Sequence, residues 1–266
     1  LPHVAVEISN AVRMGVVTRM EPVLAMALGA GETTPLAITA AYSAFANGGR
    51  RVEPHLIELV QDPKGRTVLK ADGRDCPRCE AAFTGAESPR IPPGGEQVLD
   101  PITAYQITSM LEGVVQRGTA AAVSSLGRPI AGKTGTTNDY RSAWLSDYTP
   151  QMVVGVFLGF DDNRSLGQGE SGSQAAVPIF IDFMKGAARD LPKTEFKAPR
   201  NAKFATINGV REAFRPGTEP KIVAPPPTLT PDGLPVKPLT YEQLGQRPGD
   251  AAKPAARRPD DMNGLY

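Results

Sequence analysis

The feature that most constrains the fold is a run of three strand-like segments joined by very short links. They cover residues 129–136, 142–148 and 151–160, and the third is the most apolar. The second link contains Thr149 and Pro150, a pair typical of turns. Short links suit neighbouring antiparallel strands, because parallel strands need a long crossover connection. The pattern therefore predicts an antiparallel meander.

Helices are predicted before and after this meander. Thr34 and Asp100 are good N-cap residues, and each is followed by a proline that suits the first helical position. The first of these helices runs to Ala46, before a glycine-rich stop, and the second ends at Gly118. A third, amphipathic helix is predicted over residues 175–188. The fold class is therefore predicted to be α+β, with an antiparallel sheet flanked by helices.

The composition divides the chain into a body and a tail. Residues 1–190 are predicted to form one domain, in which 71–98 is a long loop or insertion rich in Gly, Pro and Arg. Residues 191–266 hold 13 of the 26 prolines. Little apolar surface is available there to offset the entropy cost of ordering the backbone. We therefore expect a largely disordered tail.

The charge and hydropathy of this sequence argue against binding to nucleic acid and against a membrane-spanning segment. The formal net charge is +1, so no strong field favours nucleic acid. No apolar run approaches the roughly 18–20 residues that a membrane span needs. The chain starts at Leu1 without a signal-peptide pattern. We therefore expect any targeting segment or membrane anchor to lie upstream.

Cys76 and Cys79 form a Cys-x-x-Cys pair. Such a pair supplies only two of the four ligands of a structural zinc site, and His3 and His55 do not stand at a paired spacing. We therefore predict no metal and no cofactor. A local disulfide and two free thiols stay open as alternatives, and a disulfide would fit an oxidising compartment.

Residues 132–139, Gly-Lys-Thr-Gly-Thr-Thr-Asn-Asp, indicate the chemistry. Lys133 brings a positive charge on a predicted strand, and the hydroxyl groups of Thr134 and Thr136 bring hydrogen-bond donors. Together these groups suit a terminal carboxylate. Gly135 leaves room for a peptide backbone to lie against the strand edge. The backbone N–H of Thr136 is suited to stabilise an oxyanion.

The same residues resemble the transpeptidase signature of class A penicillin-binding proteins. The similarity continues through residues 143–150, and it includes, in chain order, the stretches 28–36, 41–49 and 112–120. The resemblance implies a serine β-lactamase/transpeptidase-like fold. It also implies two catalytic residues, Lys133 and Thr136. The substrate-binding residues that it implies are Thr134, Gly135, Thr136, Thr137 and Asn138.

Two other motifs of this family do not occur in the chain. Ser-x-x-Lys, which holds the nucleophile, and Ser-x-Asn are both missing from the 266 residues. In the family they precede the stretch at 28–36, so we expect them upstream of Leu1 and expect the chain to be inactive alone. Ser142 also stands where the family has Asp, and Leu145 where Phe is usual. These two departures concern local packing more than the chemistry.

The resemblance implies a peptidoglycan D,D-transpeptidase, which transfers acyl groups from D-Ala–D-Ala stem peptides to a neighbouring amine. β-Lactam antibiotics would acylate the same serine. The parent protein would also be a peptidoglycan glycosyltransferase, anchored on the periplasmic side of the bacterial inner membrane. Two alternatives stay open. One is a serine β-lactamase or D,D-carboxypeptidase of the same fold, with water as the acceptor. The other is a non-catalytic fragment or binding module.

Overall fold

The computed structural model describes residues 2–17, 19, 21–76, 79, 82, 91–207 and 209–220. The α-helices are α1 (Pro2–Arg13), α2 (Pro35–Ala46), α3 (Pro101–Arg117) and α4 (Val177–Ala187). The strands are β1 (Leu59–Gln61), β2 (Thr67–Lys70), β3 (Ala131–Thr136), β4 (Ser142–Tyr148), β5 (Val153–Gly159), β6 (Lys203–Ile207) and β7 (Val210–Phe214). Short 3₁₀ turns cover Leu24–Leu28, Ala121–Leu126 and Asn138–Tyr140, and a π-helical turn over Gly172–Ala176 leads into α4.

The central sheet is the predicted antiparallel meander. Strands β3, β4 and β5 pair in that order, with Lys133 opposite Ser146 and Leu145 opposite Val156. The predicted segment 142–148 coincides with β4, whereas β3 and β5 are slightly shorter than predicted. The antiparallel sheet flanked by helices is therefore confirmed.

The helix starts follow the predicted caps. The hydroxyl of Thr34 accepts a hydrogen bond from the N–H of Ala37 at 3.1 Å. The carboxylate of Asp100 accepts from the N–H groups of Ile102 and Thr103. These bonds satisfy donors that the first turn of a helix leaves without an internal partner. Helices α2 and α3 therefore begin where the sequence predicts.

Helices cover both faces of the central sheet, and side chains alternate between these faces along each strand. One face carries Leu145, which is buried in one cluster with Phe180 of α4. The other face carries Tyr148, whose hydroxyl lies 2.9 Å from the hydroxyl of Thr108 on α3. The ring of Tyr148 also meets Tyr42 of α2 edge to face. The sheet thus lies between α4 on one side and α2 on the other, and α3 contributes to both sides, because its Val115 belongs to the cluster of Leu145 while its Thr108 contacts Tyr148.

The largest difference from the sequence prediction is a hairpin in the predicted tail. Strands β6 and β7 pair antiparallel, and Phe204 of β6 packs edge to face on Tyr105 of α3, with ring centroids 6.2 Å apart. The compact unit extends to Glu219 rather than to residue 190. The expected disorder is therefore not found over the described part of 191–220, because Phe204 packs on Tyr105 of α3 and Phe196 packs on Tyr148 of β4. Residues 221–266 lie outside the described residues.

The predicted insertion at 71–98 is described in part. Cys76 and Cys79 form a disulfide, which decides between the two alternatives that the sequence left open. Arg50 and Gln97 form an isolated antiparallel bridge, so the excursion returns to the region just after α2. Residues 77–78, 80–81 and 83–90 of this segment lie outside the described part.

Candidate active site

Strand β3 lies at one edge of the described sheet and carries the predicted site. Lys133 is exposed, and its ammonium group donates to the main-chain carbonyl of Thr134 at 2.5 Å. Gly135 shares the face of Lys133, because residues two apart lie on the same side of a strand. A Cβ atom at Gly135 would lie 3.1 Å from Cβ of Trp144. Because Gly135 has no side chain, the surface of the strand beside Lys133 stays free of bulk.

Aromatic packing lies on this same face of the sheet, beside Gly135. Trp144 pairs with Gly135 across β3 and β4, and with Phe157 across β4 and β5. The rings of Trp144 and Phe157 are tilted, with centroids 4.5 Å apart. The prediction that Trp144 serves packing agrees with this contact.

The backbone of Thr136 points to the open edge of the sheet. Thr137 donates its N–H to the carbonyl of Ser142 at 3.1 Å, so these two residues form a hydrogen-bonded pair. Such pairs alternate with non-hydrogen-bonded pairs along an antiparallel ladder. The adjoining pair, Thr136 opposite Ala143, is therefore of the second kind, and its backbone groups face away from the partner strand. The N–H of Thr136 thus lies on the side where a substrate carbonyl could approach.

Thr134 faces away from Lys133, which differs from the prediction that its hydroxyl joins the lysine in binding a carboxylate. Its side chain is only 8% exposed, and its hydroxyl lies 2.7 Å from the hydroxyl of Thr119. Adjacent residues of a strand point to opposite faces. The Thr134 hydroxyl therefore ties β3 to the loop that follows α3.

The hydroxyl of Thr136 also contributes to support. It accepts a hydrogen bond from the N–H of Gly172 at 3.1 Å. A Cβ atom at Gly172 would lie 2.5 Å from the carbonyl oxygen of Trp144 and 2.7 Å from that of Gly135. Only a glycine lets the segment before α4 pack this closely on β3 and β4. Both predicted threonine hydroxyls thus hold the strand in place.

Thr137 and Asn138 belong to the turn between β3 and β4. The hydroxyl of Thr137 accepts the N–H of Ser142 at 2.7 Å, whereas Asn138 is exposed. Asp139 and Tyr140 have φ angles of 58° and 53°, which are uncommon for residues other than glycine. Thr137 therefore shapes the turn, and Asn138 borders the exposed end of β3.

Three residues that contact this strand, Thr119, Asp147 and Gly172, were not predicted from the sequence. Thr119 lies in the stretch 112–120 that carries the family resemblance, so a signal for it was present. Asp147 and Gly172 belong to no motif. Their proximity to β3 arises only from the pairing of β4 and the packing of the segment before α4.

Two clefts lie away from Lys133. One of about 340 Å³ lies between the end of α2, the start of α3 and residues 194–199. The other, of about 660 Å³, opens beside Thr119 and Ser173. Lys133 lines neither of them, and among the described residues its side chain is exposed.

The part of the chain that the structure describes has neither a metal-ligand cluster nor a membrane-spanning helix. There, no group of three or more His, Cys, Asp or Glu side chains could hold a metal ion. Among the described helices, none combines the length and the apolar character that crossing a membrane requires.

Comparison with known proteins identifies the family. Residues 20–185 match the family described as the penicillin binding protein transpeptidase domain. Penicillin-binding protein 1A of Rickettsia bellii is 41% identical over 199 residues, which are 74% of this chain and 25% of that protein. The crystal structure of penicillin-binding protein 1A from Haemophilus influenzae is similar with a TM-score of 0.65 and 31% identity, over 78% of this chain and 36% of that one.

A more distant structure agrees in fold. PonA1 from Mycobacterium tuberculosis, solved in complex with penicillin V, has a TM-score of 0.55 and 22% identity, over 71% of this chain and 51% of that one. The chain spans about a quarter of the length of the curated relatives that it matches. The open strand edge with its lysine, the matched residues 20–185 and the similarity to penicillin-binding protein 1A lead to one conclusion. The chain belongs to the penicillin-binding protein transpeptidase family.

Proposed function

We propose that this chain is the later part of a serine D,D-transpeptidase domain that crosslinks peptidoglycan stem peptides. The observation that supports this most is the open edge of β3, where Lys133 and Gly135 share one face and the N–H of Thr136 points outwards. A D-Ala–D-Ala terminus has the complementary chemistry, an extended backbone that ends in a carboxylate. Lys133 binds that carboxylate, and Asn138 borders the bound peptide.

The proposed reaction is a two-step acyl transfer. A serine supplied by a part of the protein outside this chain attacks the carbonyl carbon of the penultimate D-Ala, and its proton passes to a base. The D-Ala–D-Ala peptide bond breaks, and the leaving D-Ala takes a proton on its nitrogen. An amine of a second stem peptide then attacks the acyl ester, forms the new amide bond and restores the serine hydroxyl. In both steps the N–H of Thr136 stabilises the developing oxyanion.

The proposal extends to the whole protein. The R. bellii relative is a penicillin-binding protein 1A about four times as long as its matched part. We infer a parent protein that also has peptidoglycan glycosyltransferase activity and is anchored on the periplasmic side of the inner membrane. β-Lactams resemble D-Ala–D-Ala and would acylate the same serine, and the complex of PonA1 with penicillin V supports this. No cofactor and no nucleic acid enters the reaction.

Two alternative functions can be distinguished from the transpeptidase by experiment. The absence of Ser-x-x-Lys and Ser-x-Asn from the 266 residues favours a non-catalytic binding fragment for the chain by itself. A serine β-lactamase or D,D-carboxypeptidase would use water as its acceptor, so an assay that offers both an amine and water separates it from a transpeptidase.

Covalent labelling by a fluorescent penicillin tests the proposal. The protein with its complete transpeptidase domain should be labelled, and the isolated 266-residue chain should not. Lys133→Ala should lower the second-order acylation rate about 100-fold, the scale of losing one preorganised electrostatic contact. The matched control Lys185→Ala, an exposed lysine on α4, should leave the rate unchanged. Labelling of the isolated chain, or an unchanged rate for Lys133→Ala, would contradict the proposal.

A further inference from the structure

A buried carboxyl group lies directly beside the strand that carries Lys133. Asp147 on β4 pairs with Gly132, the residue that precedes Lys133 on β3. Its side chain is 0% exposed. Neither of its carboxylate oxygens has a hydrogen-bond partner among the residues that the structure describes. A buried ionised carboxylate without hydrogen-bond donors is strongly disfavoured. The ionised form of Asp147 is therefore costly in this position.

Gly132 makes room for this carboxyl group. By the alternation along β3 and β4, Gly132 and Asp147 form a non-hydrogen-bonded pair, in which opposite residues approach most closely. A Cβ atom at Gly132 would overlap the carboxyl group of Asp147. The carboxyl group therefore occupies the space of a missing side chain and rests on the backbone of β3, one residue from Lys133.

The surroundings of Asp147 favour its neutral form. Burial raises the pKa of Asp147 from its ordinary value of 3.8 to about 7. Burial raises the pKa of the phenols of Tyr42 on α2 and Tyr148 on β4, and the charge of nearby Asp147 raises both further. Glu112 on α3 acts on Tyr148 in the same direction. Within the described residues, the groups facing Asp147 thus add no positive charge that could balance an ionised carboxylate.

We propose that Asp147 is a positioning residue for Lys133, whose neutral carboxyl group lets β3 pack on β4 and whose ionisation loosens this pairing and displaces the lysine. The ionised form needs hydrogen-bond donors or water, and the closed β3–β4 pairing offers neither. Opening the pairing beside Gly132 admits water and moves the adjoining residue, Lys133. The effect on acylation rests on the proposed function, whereas the effect on the strand does not.

The acylation rate of the complete transpeptidase domain, measured with a fluorescent penicillin from about pH 5.5 to about pH 8.5, tests the proposal. If only the neutral form positions Lys133, the wild-type rate should fall about tenfold between about pH 6 and about pH 8. Asp147→Asn, which keeps the shape and stays neutral, should remove this fall. The control Asp190→Asn, an exposed carboxylate after α4, should keep the wild-type profile. Identical pH profiles for wild type and Asp147→Asn would overturn the proposal.

A second measurement separates this inference from the proposed function. Carbon NMR of the Asp147 carboxyl group, together with hydrogen exchange of the β3 amides, is recorded on the wild-type chain across the same pH range. We expect the carboxyl group to titrate near neutral pH, and we expect the protection factors of the β3 amides, which correct for base-catalysed intrinsic exchange, to fall above that point. Titration near 3.8, or protection factors that do not change as Asp147 ionises, would overturn the positioning role. An unlabelled wild-type domain would instead count against the transpeptidase, and these two readouts would still decide the role of Asp147.

Discussion

The central sheet and the β1–β2 hairpin are both antiparallel, yet they differ in what covers them. The sheet lies between α4 and α2, with α3 packed against it as well, and Leu145 at its centre is fully buried. Every residue of β1 and β2 is exposed, including Val68 at 69%. A two-stranded ribbon alone is marginally stable in water. Backbone pairing alone therefore forms a strand, whereas side-chain packing on its faces makes the strand rigid enough to hold a functional site.

Removing a large side chain from the core of the sheet should have the largest effect. Phe180 is fully buried in the cluster beneath the sheet, so Phe180→Ala should lower the free energy of unfolding by about 3–5 kcal/mol. The matched change in the hairpin, Val68→Ala, should alter it by less than about 0.5 kcal/mol. Urea unfolding of the chain followed by circular dichroism measures both. Equal losses would mean that the hairpin is packed as firmly as the sheet.

The two regions should also respond to pH with opposite sign. Asp147 binds its proton more tightly in the folded state, so its contribution to stability is present at low pH and is lost as pH rises. Over the window from 3.8 to about 7 the free energy of unfolding should fall by about 4 kcal/mol. In the hairpin turn, hydrogen bonds from the backbone and then the side chain of Arg66 lower the pKa of Asp62. Its contribution is present above 3.8 and is lost as pH falls below that value.

Urea unfolding of wild type and Asp147→Asn between about pH 4 and about pH 8 checks this prediction. The difference in unfolding free energy between the two proteins should grow in favour of the variant as pH rises. Asp62→Asn serves as the comparison, because its difference from wild type should stay constant over this range and shrink only as pH falls below 3.8. Parallel curves for wild type and Asp147→Asn would contradict the assignment of Asp147.

The smallest expected effect concerns the hydroxyl pair that supports β3. Thr119→Val removes the partner of the Thr134 hydroxyl and leaves it buried without a hydrogen bond, at a cost of about 1–3 kcal/mol. The double variant Thr119→Val with Thr134→Val should recover part of this loss, because no unpaired hydroxyl remains. Thr67→Val on the exposed strand β2 should be nearly neutral. A double variant that is no better than the single one would show that the two hydroxyls do not interact.

Local signals in the sequence predicted a large part of the fold. The capping residues Thr34 and Asp100 set the starts of α2 and α3, and the apolar segments with short links set the meander. The position of Lys133 on the first strand of the meander also agrees with the prediction. These features were predictable because caps, turns and strand alternation depend on residues close together in the chain.

Other features depend on residues far apart, and the sequence did not reveal them. The hairpin formed by β6 and β7 is ordered because Phe204 reaches Tyr105 on α3, a contact that composition does not encode. The orientation of the Thr134 hydroxyl depends on Thr119. A proline-rich composition indicates only the average entropy cost of ordering a segment. In the hairpin of β6 and β7, aromatic packing on α3 offsets that cost.

By itself, the sequence determined that the chain has an antiparallel meander flanked by capped helices, with a lysine and a glycine on its first strand and no nucleophilic serine motif. The tertiary structure alone decided which of the predicted hydroxyls support the strand, and that a buried carboxyl group lies against it. The physical reason is the distance along the chain over which each effect acts. Backbone propensity and side-chain alternation act over a few residues, whereas burial and hydrogen-bond satisfaction are settled only when distant segments pack together.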